Sequence, residues 1–212
     1  MPFKRGDSAR EGGIPFFCSK RMDATVMVSQ KILVLGVGNV LLKDEGLGVH
    51  LVRRLETVYD FSENVHVMDG GTLGLRLLDP ILEADHVIVI DALHRGAAPG
   101  TVQRMSADDL SKRVTFKNSI HQLDLVETLA YAEVLDRRPT CVIVGMEPLD
   151  IEPWGTSLTP PVAANMKVLE ALVLEEIQKA GGSWRLKAKA PQPFKEATDY
   201  VFGDSCGNHR DS

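Results

Sequence analysis

Lys31-Ile-Leu-Val-Leu-Gly-Val-Gly-Asn39-Val-Leu-Leu-Lys-Asp-Glu45 is the stretch on which the fold turns. Ile32–Val37 is a continuous apolar run, the mark of a strand buried on both faces. Beyond it, Leu47, Leu51, Val52 and Leu55 have helical spacing. The same change of period recurs down the chain. Val65–Met68, Val87–Ile90 and Cys141–Val144 read as strands, and Leu73–Leu82 as a helix. Thr101–Met105 follows the turn signal Pro99-Gly100 and reads as a short strand beside its predecessor. Ser119 with Gln122 has capping-box spacing, and Leu123, Val126 and Leu129 continue an apolar stripe. Thr159-Pro160 places an N-cap before a proline at the first helical position, so Val162–Lys179 is the last helix. Alternation of this kind predicts one α/β domain: a doubly wound, mostly parallel, five-stranded twisted sheet with helices on both faces.

Length and composition agree. A chain of 212 residues suits one substantial domain. A formal net charge of −5 argues against nucleic acid or an anionic membrane as the main partner. No apolar run approaches the ~20 residues that span a bilayer. Cys18, Cys141 and Cys206 are odd in number, far apart and without C-x-x-C spacing, which suits a reduced, cytoplasmic compartment.

Residues 1–30 lack any period and lack the apolar core of a secretory signal, so they are expected to form a flexible extension. Met27, just before the first strand, is an alternative start. Gly181-Gly182 reads as a helix stop, and residues 183–212 are expected to be a polar tail. The predicted domain therefore spans 31–182.

Carboxylates mark the ends of the predicted strands. In a parallel sheet the carboxyl ends share one edge, where ligands bind. Glu45 and its neighbour Asp44 follow the first strand, Asp69 ends the second and Asp91 the third; His121 opens a later helix. Two carboxylates with an imidazole suit zinc, nickel or iron. Each residue also has a plainer reading. Asp44 and Glu45 complement a helix dipole, and Asp69-Gly70-Gly71 makes a turn. Asp91 caps a helix, although a carboxylate ending a wholly apolar strand is costly unless paired or bound to a metal. His121 sits near a positive helix end that favours the neutral, ligating ring. The other histidines fit less well. His50 is roughly 140° around the helix from Glu45, His66 points to the opposite sheet face from Asp69, and His86 lies at the wrong strand end. His94 and His209 lie in a polar loop or tail.

Gly36-Val-Gly38-Asn-Val-Leu41 begins like a dinucleotide fingerprint, but Leu41 replaces the third glycine and two acids open the helix, disfavouring a pyrophosphate. A nicotinamide-dependent oxidoreductase is thus the weakest of the readings. No nucleophile elbow, H-E-x-x-H or P-loop is present. Metal-assisted or acid–base chemistry fits better than a covalent nucleophile.

Taken in order, Ile32 to Gly48, Asp69-Gly-Gly-Thr72, Ile90-Asp91-Ala92, Pro99-Gly100, His121-Gln122 and Leu158-Thr-Pro160 resemble the motifs of the hydrogenase maturation endopeptidases. The resemblance covers roughly Lys31 to Gly181. It implies a twisted sheet between helices. It also implies removal of a C-terminal extension from the large-subunit precursor of a nickel–iron hydrogenase, once nickel has been inserted. Glu45, Asp91 and His121 match the family's metal-contacting residues, and Asp69 matches the carboxylate of its D-G-G motif. The nickel is then supplied by the precursor rather than permanently bound. A monomeric hydrolase of aspartic or metal-assisted type is expected, and a non-catalytic, nickel-dependent precursor chaperone is the alternative.

Overall fold

The run Ile32–Val37 is buried at every position and forms β1, flanked on both edges by parallel strands. The computed structural model describes residues 29–72, 74–106, 109, 120–152 and 154–188, and of 120–126 the backbone path alone. The 1–28 extension, Ser119, the side chains of His121, Gln122, Leu123 and Val126, and residues from 189 onward lie outside the described residues.

The elements after β1 are α1 (Leu47–Val58), β2 (Tyr59–Phe61), β3 (Val65–Gly71), α2 (Leu78–Glu83), β4 (His86–Ala92), β5 (Val102–Ser106), α3 (Ile120–Val134), β6 (Thr140–Met146), α4 (Pro160–Lys179) and β7 (Trp184–Leu186). A five-stranded sheet has the order β3-β1-β4-β6-β5, in which β3, β1, β4 and β6 are parallel. The predicted fold class is the observed one. Alternate strand residues feed two cores. Ile32, Val34, Ile88 and Ile90 pack with α1 and α4 residues such as Leu51 and Met166. Leu33, Leu35, Val87 and Val89 pack on the other face with Ile81 of α2 and Leu129 and Ala132 of α3.

Three expectations are corrected. The strand after Pro99-Gly100 pairs antiparallel with β6, not with its predecessor β4. Both edges of β4 are already taken by β1 and β6, and backbone bonds Gly100 N→Glu147 O (2.8 Å) and Glu147 N→Thr101 O (3.0 Å) carry the link past β6. The helix expected from residue 73 is a 3-10 turn, Gly74–Leu77, followed by the short α2. Pro80 has no N–H to return to Arg76, so the regular ladder cannot extend back through that turn. The polar segment after Gly182 begins with a strand: β7 pairs antiparallel with β2, and Trp184 packs edge-on against Tyr59 with ring centroids 5.2 Å apart.

The helix stop is as read. Gly182 N donates to Ile177 O (2.9 Å) and Gly181 N to Gln178 O (3.0 Å), with Gly181 at φ +89°. This is the Schellman pattern, which satisfies two terminal carbonyls of α4.

Candidate active site at the carboxyl edge of the sheet

The chain leaves β1 toward one neighbour, β3, and later resumes on the other side at β4, so the topological switch lies between β1 and β4. Close backbone packing brings two candidate residues there. A Cβ on Gly38 would lie 1.8 Å from the Glu45 carbonyl oxygen, and Gly38 has φ +123°. A Cβ on Gly48 would lie 2.2 Å from the Ile90 carbonyl oxygen. Only glycine lets the 3-10 turn Lys43–Gly46 and the start of α1 settle onto the ends of β1 and β4. Glu45 and Asp91, far apart in sequence, therefore sit against the same short stretch of sheet edge. Asp91 is 2% exposed, and its Oδ1 accepts the Ala92 N–H at 2.8 Å.

Asp91 alternates with Ile90 and Ala92, so its side chain belongs to the face covered by α2 and α3. His121 lies in the first turn of α3. That helix packs along α2 and the turn Gly74–Leu77 and ends close to the start of β6, at the amino edge of the sheet. Its length, roughly 22 Å at 1.5 Å per residue, places its first turn toward the carboxyl edge. The His121 backbone is thus on the Asp91 side, and its side chain lies outside the described residues. Among the described residues no three His, Cys, Asp or Glu side chains are grouped to hold a metal.

Asp69 is placed differently. It pairs in register with Gly36, whose other neighbour is Ile90. Two strand spacings of ~4.8 Å put it about 10 Å along the edge from the end of β4. Its side chain points to the α1 face. Oδ2 accepts Arg53 Nε at 2.9 Å and Arg53 Nη2 at 2.8 Å, while Oδ1 accepts the Gly71 N–H at 3.0 Å. The ladder shifts by one residue just here, so that Val37 pairs with Gly71. Asp69 is held where β3 bulges, outside the reach of a coordination sphere centred on Asp91.

The neighbour of Glu45 has another task. Asp44 is fully buried. Its Oδ2 accepts the N–H groups of Leu149 (2.9 Å) and Asp150 (3.1 Å) and the Thr159 hydroxyl (2.7 Å), and its Oδ1 accepts the Thr159 N–H (2.7 Å). Thr159 is the N-cap residue of α4 as expected, but its hydroxyl serves Asp44 rather than the helix. Lys43, with φ +49°, bonds Gly155 O through its N–H (2.8 Å) and Asp150 Oδ2 through Nζ (2.7 Å). The turn bearing Glu45 is therefore bolted to the loop between β6 and α4.

Sequence reasoning missed Glu147. It is 2% exposed and accepts the N–H groups of Arg95 (2.8 Å) and Gly96 (3.0 Å), fixing the loop that follows Asp91. The signal was present, since Glu147 ends an apolar strand just as Asp91 does. His94 Nδ1 stands 3.8 Å from Glu147 Oε1. His50 was set aside on helical geometry; it is buried on α1 with a hydrogen bond to the Thr156 backbone, and burial, reinforced by Arg53, lowers its pKa.

Set against known proteins, residues 49–176 match the family model described as hydrogenase maturation protease. The chain belongs to that family. The matched span contains Asp69, Asp91 and His121, and Glu45 lies just before it. The chain is 42% identical over 134 residues to the hydrogenase expression/formation protein HupD of Bradyrhizobium diazoefficiens, covering 62% of this chain and 70% of the relative. It is 37% identical to the hydrogenase 2 maturation protease of Escherichia coli over 153 residues, 71% of this chain and 93% of the relative. The structure of the hydrogenase maturating endopeptidase HybD from E. coli superposes with a TM-score of 0.71 at 35% identity, covering 76% of this chain and 99% of that one. Membership in this protease family makes the chain a hydrolase. Among the described residues no helix is long and apolar enough to cross a membrane.

Proposed function

We propose that this protein is an endopeptidase that removes a C-terminal extension from the nickel-loaded large-subunit precursor of a nickel–iron hydrogenase. Glu45, Asp91 and His121 engage the nickel that the precursor carries, and Asp69 serves the cleavage. The observation that supports this reading is the close packing of the turn bearing Glu45 on the end of β1 and of the start of α1 on the end of β4, next to Asp91, through glycine contacts that no larger residue permits. The printed names of the E. coli relatives, a hydrogenase 2 maturation protease and a hydrogenase maturating endopeptidase, support the reaction class.

Two carboxylates and an imidazole suit nickel and leave coordination positions for the precursor's own groups. Substrate nickel polarises the scissile carbonyl or lowers the pKa of a bound water. Asp69, about 10 Å along the edge, orients that water or the peptide and does not complete the ligand set. The reading sets the reaction in the cytoplasm, with a monomeric enzyme and a protein as its partner.

The test is incubation with a hydrogenase precursor, with and without nickel, followed by mass measurement of its C-terminus. Cleavage is expected only with nickel. Glu45→Gln, Asp91→Asn and His121→Ala should each lose co-purification with the nickel-loaded precursor. Asp69→Asn should still bind it but cleave roughly 10²-fold more slowly, the scale of general acid–base assistance. Nickel-dependent binding without any cleavage by the wild type would return the chaperone reading. Unchanged cleavage by Asp69→Asn would leave Asp69 as a turn-former.

A further inference from the structure

The Asp69 carboxylate does not stand alone. The guanidinium of Arg53, on α1, places two N–H groups on one of its oxygens, and the Gly71 backbone N–H occupies the other. A carboxylate offers about four acceptor positions. Among the described residues three are taken, and the remaining one is on Oδ1, the oxygen on the Gly71 side. We propose that Arg53 is the positioning residue for cleavage: it holds the Asp69 carboxylate turned so that one defined lone pair faces the substrate. The inference rests on the reading that Asp69 serves cleavage.

The geometry favours a positioning role over a stabilising one. The Arg53 and Asp69 side chains are 45% and 33% exposed, and ion pairs so open to solvent contribute little to folding. Yet the arrangement fixes the carboxylate at both oxygens, at the one place where the β1–β3 ladder slips. Arg53 also comes from the helix whose Gly48 sits on the end of β4 at Ile90, directly after the turn that bears Glu45, so a single rigid element spaces the two halves of the site. An Arg fork specifies direction as well as charge.

Single-turnover cleavage of nickel-loaded precursor tests this in Arg53→Met, Arg53→Lys, Asp69→Asn and the double variant Arg53→Met/Asp69→Asn. Arg53→Met should cut the cleavage rate by up to roughly 10²-fold, the scale of a 1 Å misplacement, with precursor affinity near wild type. Arg53→Lys should recover part of that loss, because an ammonium restores charge but not the fork. The double variant should be no slower than Asp69→Asn, since the arginine acts only through the carboxylate. Wild-type cleavage by Arg53→Met beside a slow Asp69→Asn would overturn the role of Arg53 and leave that of Asp69 standing. Additive losses in the double variant would also overturn it, as would a fall in melting temperature that accounts for the lost cleavage. Wild-type cleavage by Asp69→Asn would overturn both assignments together.

Discussion

Asp44 and Asp69 are both carboxylates at the carboxyl edge, each accepting backbone N–H groups, yet they are built to opposite ends. Asp44 is sealed from solvent and filled by four donors from Leu149, Asp150 and Thr159. Asp69 is one-third exposed, with one backbone donor and one arginine. A saturated, buried carboxylate has no capacity left for a substrate and can only hold structure. A partly open one, with an acceptor position that none of the described residues fills, can still act. Sequence alone ranks these residues alike, as acids after strands; burial and donor count separate them.

The largest effect that would break this contrast is at Asp44. Asp44→Asn replaces one acceptor oxygen with a donor and turns it toward N–H groups that are out of water. With the amide nitrogen at the Oδ1 position the buried Thr159 N–H loses its partner, at roughly 1–3 kcal/mol, and the three other hydrogen bonds lose their charge assistance, a total on the order of 4 kcal/mol. At roughly 2–4 °C per kcal/mol, the melting temperature should fall by about 10 °C. Asp69→Asn, on an exposed ion pair, should cost under about 1 kcal/mol. Calorimetry of both variants checks the ordering, and equal destabilisation would dissolve the distinction between clasp and site.

A smaller effect calibrates the contrast with an apolar attachment remote from both carboxylates. Ending the chain at Gly182 removes β7 and the Trp184 ring that packs against Tyr59, Phe61 and the α1–α4 core. About 2–3 kcal/mol of stability should be lost relative to a chain ending at Ala188. Cleavage measured well below the melting temperature should be unchanged, because β2 and β7 form their own sheet away from the switch point. Loss of cleavage in a folded protein ended at Gly182 would show that β7 reaches the site by a route the sheet order does not suggest.

What the sequence disclosed follows the range of the interactions. Apolar runs revealed the four parallel strands, because burial on both faces is written into consecutive residues. The stop at Gly181-Gly182 was legible because its hydrogen bonds span only a few residues. The β2–β7 pair was not, since Tyr59 and Leu186 meet across most of the domain and each strand has just three residues. Nor was the placement of β5, which depends on both edges of β4 being occupied. At the site, Glu45, Asp69 and Asp91 could be picked out as acids at strand ends. The partners that sort them come from other elements. Arg53 is the exception with a readable signal: it lies on a helix packed over β3, close enough to the D-G-G turn to take its carboxylate as a partner.

His50 joins the two regions and gives the smallest predicted effect. Its ring bonds the Thr156 backbone, in the loop that Asp44 clasps, and it feels the charges of Arg53 and Asp69. Burial and then Arg53 lower its pKa from 6.5, outweighing the Thr156 bond and Asp69, which raise it. The sign follows from proton counting. Above pH 6.5 the ring is neutral whether the chain is folded or not, and stability is unaffected. As pH falls through 6.5 toward the folded value, the unfolded chain takes up a proton that the folded protein resists, so stability declines with acidification, by at most about 1.4 kcal/mol per pH unit. Melting curves from pH 8 to pH 5.5 should therefore show wild type losing stability relative to His50→Gln, whose amide can still donate to Thr156 but does not titrate. Parallel curves would mean that the ring accepts its proton without strain, and that clasp and site are not coupled through it.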